Sequence, residues 1–151
     1  MPDYSLMCDQ LRALTENVPY PVSNLANASA LLFYSLDDLN WAGFYMMRDG
    51  QLILGPFQGK TACTRIAVGK GVCGTAVQRG ETVRVDDVHS FPGHIACDCA
   101  SNSEIVIPIH GNNGEIIGVL DIDSPVFGRF DEADQAGLEE FVRVLEECID
   151  G

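Results

Sequence analysis

The chain has 151 residues, a length that suits one domain and allows it to bury a core without disulfide cross-links. Nine Lys and Arg residues against 22 Asp and Glu residues give a net charge of −13, which repels phosphate backbones and anionic lipids. Composition therefore excludes nucleic acid and membrane surfaces as partners, and it favours small cationic or zwitterionic ligands.

Cysteine usage indicates a reducing compartment. The six cysteines fall short of the share, roughly 8–10%, that marks a small disulfide scaffold. Residues 1–19 carry Asp3, Asp9 and Glu16 and no unbroken apolar run, so they do not resemble a secretory signal. We therefore expect a cytoplasmic protein whose cysteines are thiols and whose disulfides, where they form, are catalytic or redox-sensing.

The N-terminal third predicts two helices. Leu6, Leu11 and Leu14 recur at roughly helical spacing, and Pro19 interrupts the pattern. Ser23 is then the predicted cap of a second helix. The apolar residues expected to form the buried face of that helix are Leu25, Ala28, Leu31, Leu32 and Leu36.

The middle of the chain predicts a β-hairpin and then a short helix. Apolar runs at 41–47 and 51–54 flank Asp49 and Gly50, a dipeptide that supplies the positive φ angles of a type I′ turn. The stretch GKGVCG at 69–74 lacks the G-x-x-x-x-G-K-[ST] order of a phosphate loop, so nucleotide binding is not predicted. It instead opens a helix at 72–78, which is followed by a strand at 82–85.

The last part of the chain predicts a long loop, two strands and a helix. The loop spans 86–103 and is too apolar to be disordered, so it is expected to be functional. Strands at 104–110 and 115–123 flank a turn at 112–114, and Asp131 caps the final helix. The predicted apolar face of that helix comprises Ala133, Ala136, Leu138, Phe141, Val142 and Leu145. This order of elements predicts an α+β fold, with an antiparallel sheet and helices packed on one face.

Four side chains of the loop are possible metal ligands: His89, His94, Cys97 and Cys99. Their spacing lacks the paired C-x2-C units of common zinc sites, and two cysteines one residue apart chelate poorly in an extended chain. We therefore predict no metal site. The histidines are interpreted as loop residues that hydrogen-bond to nearby groups.

The loop cysteines suit thiol–disulfide chemistry, in which one thiolate attacks and another resolves the product. Cys63 lies near Lys60 and Arg65, whose charges favour a thiolate, and Cys73 is predicted at the start of a helix, where it is reactive if exposed. The remaining two, at positions 8 and 148, lie on the terminal helices and are interpreted as small apolar residues or exposed thiols.

Aromatic and acidic residues suggest a ligand pocket. Trp41 and Tyr45 share one face of a predicted strand, as core residues or as one wall of a pocket. Asp121 and Asp123 share a face of another strand, within the apolar run GVLDIDSP, where a charge needs a partner or a ligand. Glu104 begins the neighbouring strand and joins the same set.

Six motifs carry a resemblance to a known family. They are GKTACTRI, GKGVCGTA, ETVRVDDVH, FPGHIACD, SNSEIVIPI and IIGVLDIDSP, which lie in order within residues 40–131. Together they resemble the free methionine-(R)-sulfoxide reductases, which are built on a GAF-type domain. The resemblance implies one GAF-like catalytic domain over residues 1–151, with N-terminal helices in 1–37 and a C-terminal helix in 131–150.

The resemblance also implies an oxidoreductase that converts free methionine-(R)-sulfoxide to methionine, with electrons from thioredoxin and no bound cofactor. By the family's motifs, Cys97 is the nucleophile, Cys63 resolves it and Cys73 is the third family thiol. The matching substrate-pocket residues are Trp41, Tyr45, Ile95, Ala96, Glu104, Asp121 and Asp123. Glu104 and Asp123 are expected to serve the sulfoxide, and Asp121 the ammonium. Cys99 departs from the family pattern, which has a small polar residue there.

Two alternatives from other classes remain open. A GAF-like sensor that binds a small ligand without chemistry fits the fold. A thiol redox switch fits the cysteines, although it assigns no role to the aromatic residues and the acids. A homodimer is left open as well.

Overall fold

The apolar runs rich in Ile and Val pair into one antiparallel sheet. The computed structural model describes residues 2–93 and 100–149, and within them six strands follow the order β3-β2-β1-β6-β5-β4. The strands are β1 (Trp41–Arg48), β2 (Gln51–Gly59), β3 (Arg65–Ala67), β4 (Val83–Val85), β5 (Ser103–His110) and β6 (Ile116–Ser124). The helices are α1 (Tyr4–Thr15), α2 (Pro21–Ser35), α3 (Gly71–Arg79) and α4 (Glu132–Ile149), with a short 3-10 turn at Val88–Ser90. The predicted α+β class and antiparallel sheet are confirmed.

The predicted hairpin is confirmed at its turn but is longer than expected. Asp49 and Gly50 have φ angles of 54° and 78°, and Arg48 pairs with Gln51 across the turn. β2 continues to Gly59, well past the predicted end at residue 54, because its last three residues pair with β1 beyond a shift in register. The short β3 was not predicted, since three residues are too few for a periodic signal.

One face of the sheet packs against α1, α2 and α4. Its strand residues are Ala42, Phe44, Ile105, Ile107, Ile109, Leu120 and Ile122, all of them buried. They alternate along each strand with residues of the opposite face, as the two-residue period of a strand requires. We call this the helix face.

Several details of the helices differ from the predictions. Of the three predicted leucines of α1 only Leu11 is buried, while Leu6 and Leu14 are 51% and 43% exposed. α1 buries Met7 and Cys8 beside Leu11, because a helix buries the stripe that faces its neighbours. α2 begins at Pro21, which is favoured at a first helical position, so Ser23 is not its cap. Two residues of the predicted α4 face, at positions 133 and 136, are exposed.

The start of α4 is held by a reciprocal pair of acids. The Asp134 amide donates to Asp131 Oδ1 at 2.8 Å, and the Asp131 amide donates to Asp134 Oδ2 at 3.1 Å. The Asp131 side chain therefore accepts a hydrogen bond from a backbone amide at the start of α4, as predicted for a cap. Asp134 also accepts from Tyr4 Oη at 2.6 Å and pairs with Arg129 at 3.3 Å, which ties α1 to α4.

α3 packs on the opposite face of the sheet. Its residues Val72, Cys73 and Ala76 lie in a second buried cluster with Trp41 and Tyr45 of β1. Helices thus cover both faces, three on one and α3 on the other, whereas the sequence predicted helices on one face only; α3 lies on the second face because its apolar residues are buried against the aromatic residues of β1. We call this second side, which carries the candidate functional residues, the site face. None of the helices in the described part of the chain combines the length and the apolar character that a bilayer crossing needs.

Candidate active site

Sheet register places the predicted acids and aromatic residues side by side. Asp123 of β6 lies between Trp41 of β1 and Glu104 of β5, as the direct partner of each. Asp121 lies two residues along β6, on the same face, opposite Gly43. The pattern of alternation predicted the shared face of the two aspartates, and the register brings Glu104 and Trp41 to it.

The aromatic residues are core residues that also anchor the segment that carries Cys63. Trp41 and Tyr45 are each 2% exposed, with ring centroids 5.9 Å apart, and Phe57 of β2 stacks on Trp41 at 5.1 Å. Trp41 Nε1 donates to the Lys60 carbonyl at 3.0 Å, and Tyr45 Oη donates to the Cys63 carbonyl at 2.8 Å. Both rings therefore hold the segment that carries Cys63. The sequence missed Phe57, since β2 was predicted to end earlier.

The carboxylates form a buried acidic group. Glu104 and Asp121 are 7% and 6% exposed, while Asp123 is half-buried. Burial raises the pKa of Glu104 well above its usual range, and the neighbouring charges of Asp121 and Asp123 raise it further. Burial also raises the pKa of Asp121. Burial and the mutual repulsion of the carboxylates therefore favour the protonated form within this group.

Asp121 is the acid with unused hydrogen-bonding capacity. Its carboxylate hydrogen-bonds with Glu104 and Cys73, but its Oδ1 atom is buried and has no hydrogen-bond partner among the described residues. Neither Asp121 nor Glu104 forms an ion pair with a basic side chain in the described part of the chain. A buried carboxylate oxygen without a partner is costly, so the site suits a cationic ligand.

Cys73 is a buried thiol beside these acids. It lies in the first turn of α3 and is 3% exposed, and its Sγ atom and one oxygen each of Glu104 and Asp121 lie within 4.8 Å of one another. Burial raises the pKa of the Cys73 thiol well above its usual range, and the charges of Asp121 and Glu104 add to this. Cys73 is therefore held as a neutral thiol. Its predicted reactivity depended on exposure, and the buried position does not provide it.

Cys63 has the opposite environment. It is half-buried and disulfide-bonded, whereas Cys8, Cys73 and Cys148 are free thiols. Cys63 lies just before β3 and is flanked in sequence by Lys60 and Arg65, which are exposed. The structure therefore contains one of these cysteines in a disulfide and the other as a buried free thiol.

The remaining predicted loop residues lie outside the described residues: His94, Ile95, Ala96, Cys97 and Cys99. His89 is described, and its Nε2 atom lies 3.0 Å from Asn102 Oδ1, which agrees with its interpretation as a hydrogen-bonding loop residue.

Both ends of the 86–103 segment are joined at Asn102, a residue that the sequence did not single out. The Val88 amide donates to the Asn102 carbonyl at 2.9 Å, and the Asn102 amide donates to the Ser124 carbonyl at 2.8 Å. Asn102 Nδ2 donates to the Pro125 carbonyl at 2.7 Å. The segment therefore begins and ends beside the end of β6, next to Asp123. An isolated Asn in a loop carries no signal of such a role.

Comparison with known proteins agrees with this geometry. The GAF domain family matches residues 28–150. The chain is 61% identical to the free methionine-R-sulfoxide reductase of Escherichia coli over 128 residues, 85% of this chain and 77% of that one. It superposes on the fRMsr of Staphylococcus aureus in complex with substrate with a TM-score of 0.93 and 49% identity, covering 99% and 97% of the two chains. The free methionine-R-sulfoxide reductase of Neisseria meningitidis, also in complex with its substrate, gives a TM-score of 0.92 and 42% identity over 97% and 87%.

Proposed function

Because this chain belongs to the free methionine-R-sulfoxide reductases, a family of GAF-domain oxidoreductases, we propose that it reduces the R epimer of free methionine sulfoxide to methionine. The observation that carries the proposal is the buried acidic group on the site face, where Glu104, Asp121 and Asp123 lie beside Trp41. A redox switch has no use for such a group. A free amino acid sulfoxide has an ammonium, which needs a carboxylate partner, and a basic oxygen, which needs a proton. The acidic group can supply both.

Asp121 is the proposed partner of the substrate ammonium. Its buried Oδ1 atom lacks a hydrogen-bond donor among the described residues, and an ammonium supplies one. Charge-assisted hydrogen bonds of this kind contribute roughly 1.5–3 kcal/mol each. The ammonium also offsets the negative charge around Asp121 and Glu104, neither of which has a described basic partner. This recognition explains why a free amino acid, rather than a methionine sulfoxide within a peptide, is the proposed substrate.

Glu104, with Asp123, is the proposed source of the proton for the sulfoxide oxygen. The sulfoxide oxygen is a poor leaving group unless it is protonated, so the reaction needs an acid that holds its proton at neutral pH. The raised pKa of Glu104 provides such an acid, and Asp123 shares the proton through their side-chain hydrogen bond. Two similar carboxyls thus take different tasks because their surroundings differ.

Cys97 is the proposed nucleophile and Cys63 the resolving thiol. The Cys97 thiolate attacks the sulfoxide sulfur, the protonated oxygen is transferred to Cys97 as a sulfenic acid, and methionine leaves. Cys63 then attacks that sulfenic acid, which forms a disulfide and releases water. The disulfide-bonded state of Cys63 and the buried, neutral state of Cys73 support this division of roles.

Recycling needs an external dithiol, for which we propose thioredoxin. Its two thiols reduce the disulfide and are themselves oxidised, so that one sulfoxide and one dithiol yield methionine, water and one disulfide. No bound cofactor is required by this balance. We propose the cytoplasm as the location, because such a cycle needs a reducing compartment. The homodimer stays a prediction, as does the role of Ile95 and Ala96 in the substrate pocket.

The test is a stereochemical count of methionine. Reduced protein is mixed with racemic free methionine sulfoxide and dithiothreitol, and we expect half of the pool to be converted and the other epimer to persist. An acetylated and amidated methionine sulfoxide serves as the control and is expected not to react. Binding of the sulfoxide without formation of methionine would instead support the ligand-sensor alternative, and equal rates on the blocked substrate would contradict the proposed recognition.

A further inference from the structure

Three potential metal ligands meet in the buried part of the site face. Cys73 Sγ, a Glu104 carboxylate oxygen and an Asp121 carboxylate oxygen all lie within 4.8 Å of one another. They come from three different elements, α3, β5 and β6, so the sheet and the helix together fix their separation. Each residue is more than nine-tenths buried.

A second observation points to a positively charged ligand at this cluster. Asp121 hydrogen-bonds with both other members, yet its buried Oδ1 atom has no partner among the described residues. No described basic side chain pairs with Glu104 or Asp121. The substrate ammonium brings one positive charge to this group, whereas a divalent ion brings two and bonds directly to the carboxylates.

We infer that the reduced protein binds a thiophilic divalent cation, Zn²⁺ in particular, through Cys73, Glu104 and Asp121, at the place proposed for the substrate ammonium. A sulfur and two oxygens form a donor set that suits zinc, with water or Asp123 in the fourth position. Hard cations such as Mg²⁺ prefer oxygen-only shells and are excluded by the thiolate.

The separations are compatible with such an ion. Zinc bonds of about 2.1 Å to oxygen and 2.3 Å to sulfur place one sulfur and two oxygens in tetrahedral geometry roughly 3.4–3.6 Å apart. The ligand atoms of the cluster are no more than 4.8 Å apart. Side-chain rotations that shorten these separations by roughly 1.4 Å or less bring the atoms to this spacing. Binding displaces the proton of Cys73 and the proton held by the carboxyls, so zinc occupies the site in exchange for protons.

The experiment uses Co²⁺ as a spectroscopic probe and Zn²⁺ as its competitor. Protein reduced with a phosphine is freed of reductant and titrated with Co²⁺ without oxygen, since dithiothreitol would itself bind the metal. We expect one equivalent to give a thiolate-to-cobalt charge-transfer band, which Zn²⁺ abolishes and Mg²⁺ does not. Absence of the band would overturn the inference.

Variants identify the ligands. Cys73→Ser is expected to lose the band, and Glu104→Gln and Asp121→Asn to weaken binding at least tenfold. A triple variant, Cys63→Ser with Cys97→Ser and Cys99→Ser, is expected to keep the band, as is the matched control Cys148→Ser. A band that survives in Cys73→Ser, or that disappears in the triple variant, would assign the metal to another thiol and overturn the inference.

Competition separates this inference from the proposed function. The competition with substrate rests on the proposed function, whereas the metal site does not. Free methionine sulfoxide is expected to displace Co²⁺ in a variant without Cys63 and Cys97, which cannot complete the reaction. A band that is present but insensitive to the sulfoxide would contradict the shared position. If enzyme that has not been exposed to metal forms no methionine, the proposed function is contradicted and the cobalt result still stands.

Discussion

Neighbouring residues of β5 and β6 lie on opposite faces of the sheet and differ completely in chemistry. Ile105 and Leu120 point to the helix face, where they are fully buried among apolar side chains of α1, α2 and α4. Glu104 and Asp121, one residue away on each strand, lie on the site face as buried acids, and neither has a described basic partner. The same two strands thus provide both the stability of the fold and the chemistry of the site.

Stability and activity are therefore expected to be separable along one strand. Burying apolar residues contributes to the free energy of unfolding, whereas crowding buried carboxylates reduces it. We therefore expect substitutions on the helix face to reduce stability with little effect on activity. Substitutions on the site face are expected to reduce activity with little loss of stability.

The largest effect is expected for Glu104→Gln on the site face. Loss of the general acid slows the single-turnover rate by about 10²–10⁴-fold, the usual range for such catalysis. The free energy of unfolding stays the same or rises, because a buried acid is replaced by a neutral isostere. Rapid-quench measurement of methionine and urea unfolding check both parts, with the exposed Glu115→Gln as the control. Full-speed chemistry in the Glu104 variant would assign the acid role to Asp123.

The second effect is the converse, on the helix face. Leu120→Ala removes a fully buried side chain and is expected to lower the free energy of unfolding by about 2–5 kcal/mol. The single-turnover rate of the folded protein should stay within about threefold of the parent. Urea unfolding and a single-turnover assay on the same preparation measure the two quantities. A tenfold loss of rate in protein that is still folded would show that the faces are coupled.

Asp121→Asn is expected to separate substrate binding from catalysis within the site face. If one charge-assisted hydrogen bond to the ammonium is lost, the substrate concentration for half-maximal single-turnover rate rises by roughly 10–100-fold. The maximal rate changes less, because the proton comes from another carboxyl. Rates measured against substrate concentration separate the two, and the exposed Asp9→Asn is the control. A loss of maximal rate with unchanged half-saturation would move Asp121 into the chemical step.

The smallest expected effect is a dependence of stability on pH. The raised pKa of Glu104 means that, between its unfolded and folded pKa values, the folded chain binds more protons than the unfolded chain. The free energy of unfolding therefore falls as pH rises through that window, by less than about 1.4 kcal/mol per pH unit for one proton. Urea unfolding from about pH 5 to about pH 8 should show a flatter slope for Glu104→Gln. Equal slopes in both proteins would contradict the buried, protonated state.

Local patterns predicted much of the fold and part of the site. The Asp49 and Gly50 turn, the glycine-bounded α3 and the shared strand face of Asp121 and Asp123 follow from backbone preferences and the two-residue period, which act over a few neighbouring residues. The extent of β2 and the position of Phe57 did not follow, because they depend on pairing with a distant strand.

What the sequence by itself determined is therefore the set of elements, the acidic character and the residue types available for chemistry. Only the tertiary structure decided their environments. Cys73 has the helix-terminal position of a reactive thiol, but packing of α3 against the sheet places it beside Glu104 and Asp121, and burial with negative charge keeps its proton. A pKa depends on everything within a few ångströms, and residues 73, 104 and 121 become neighbours only when the chain folds.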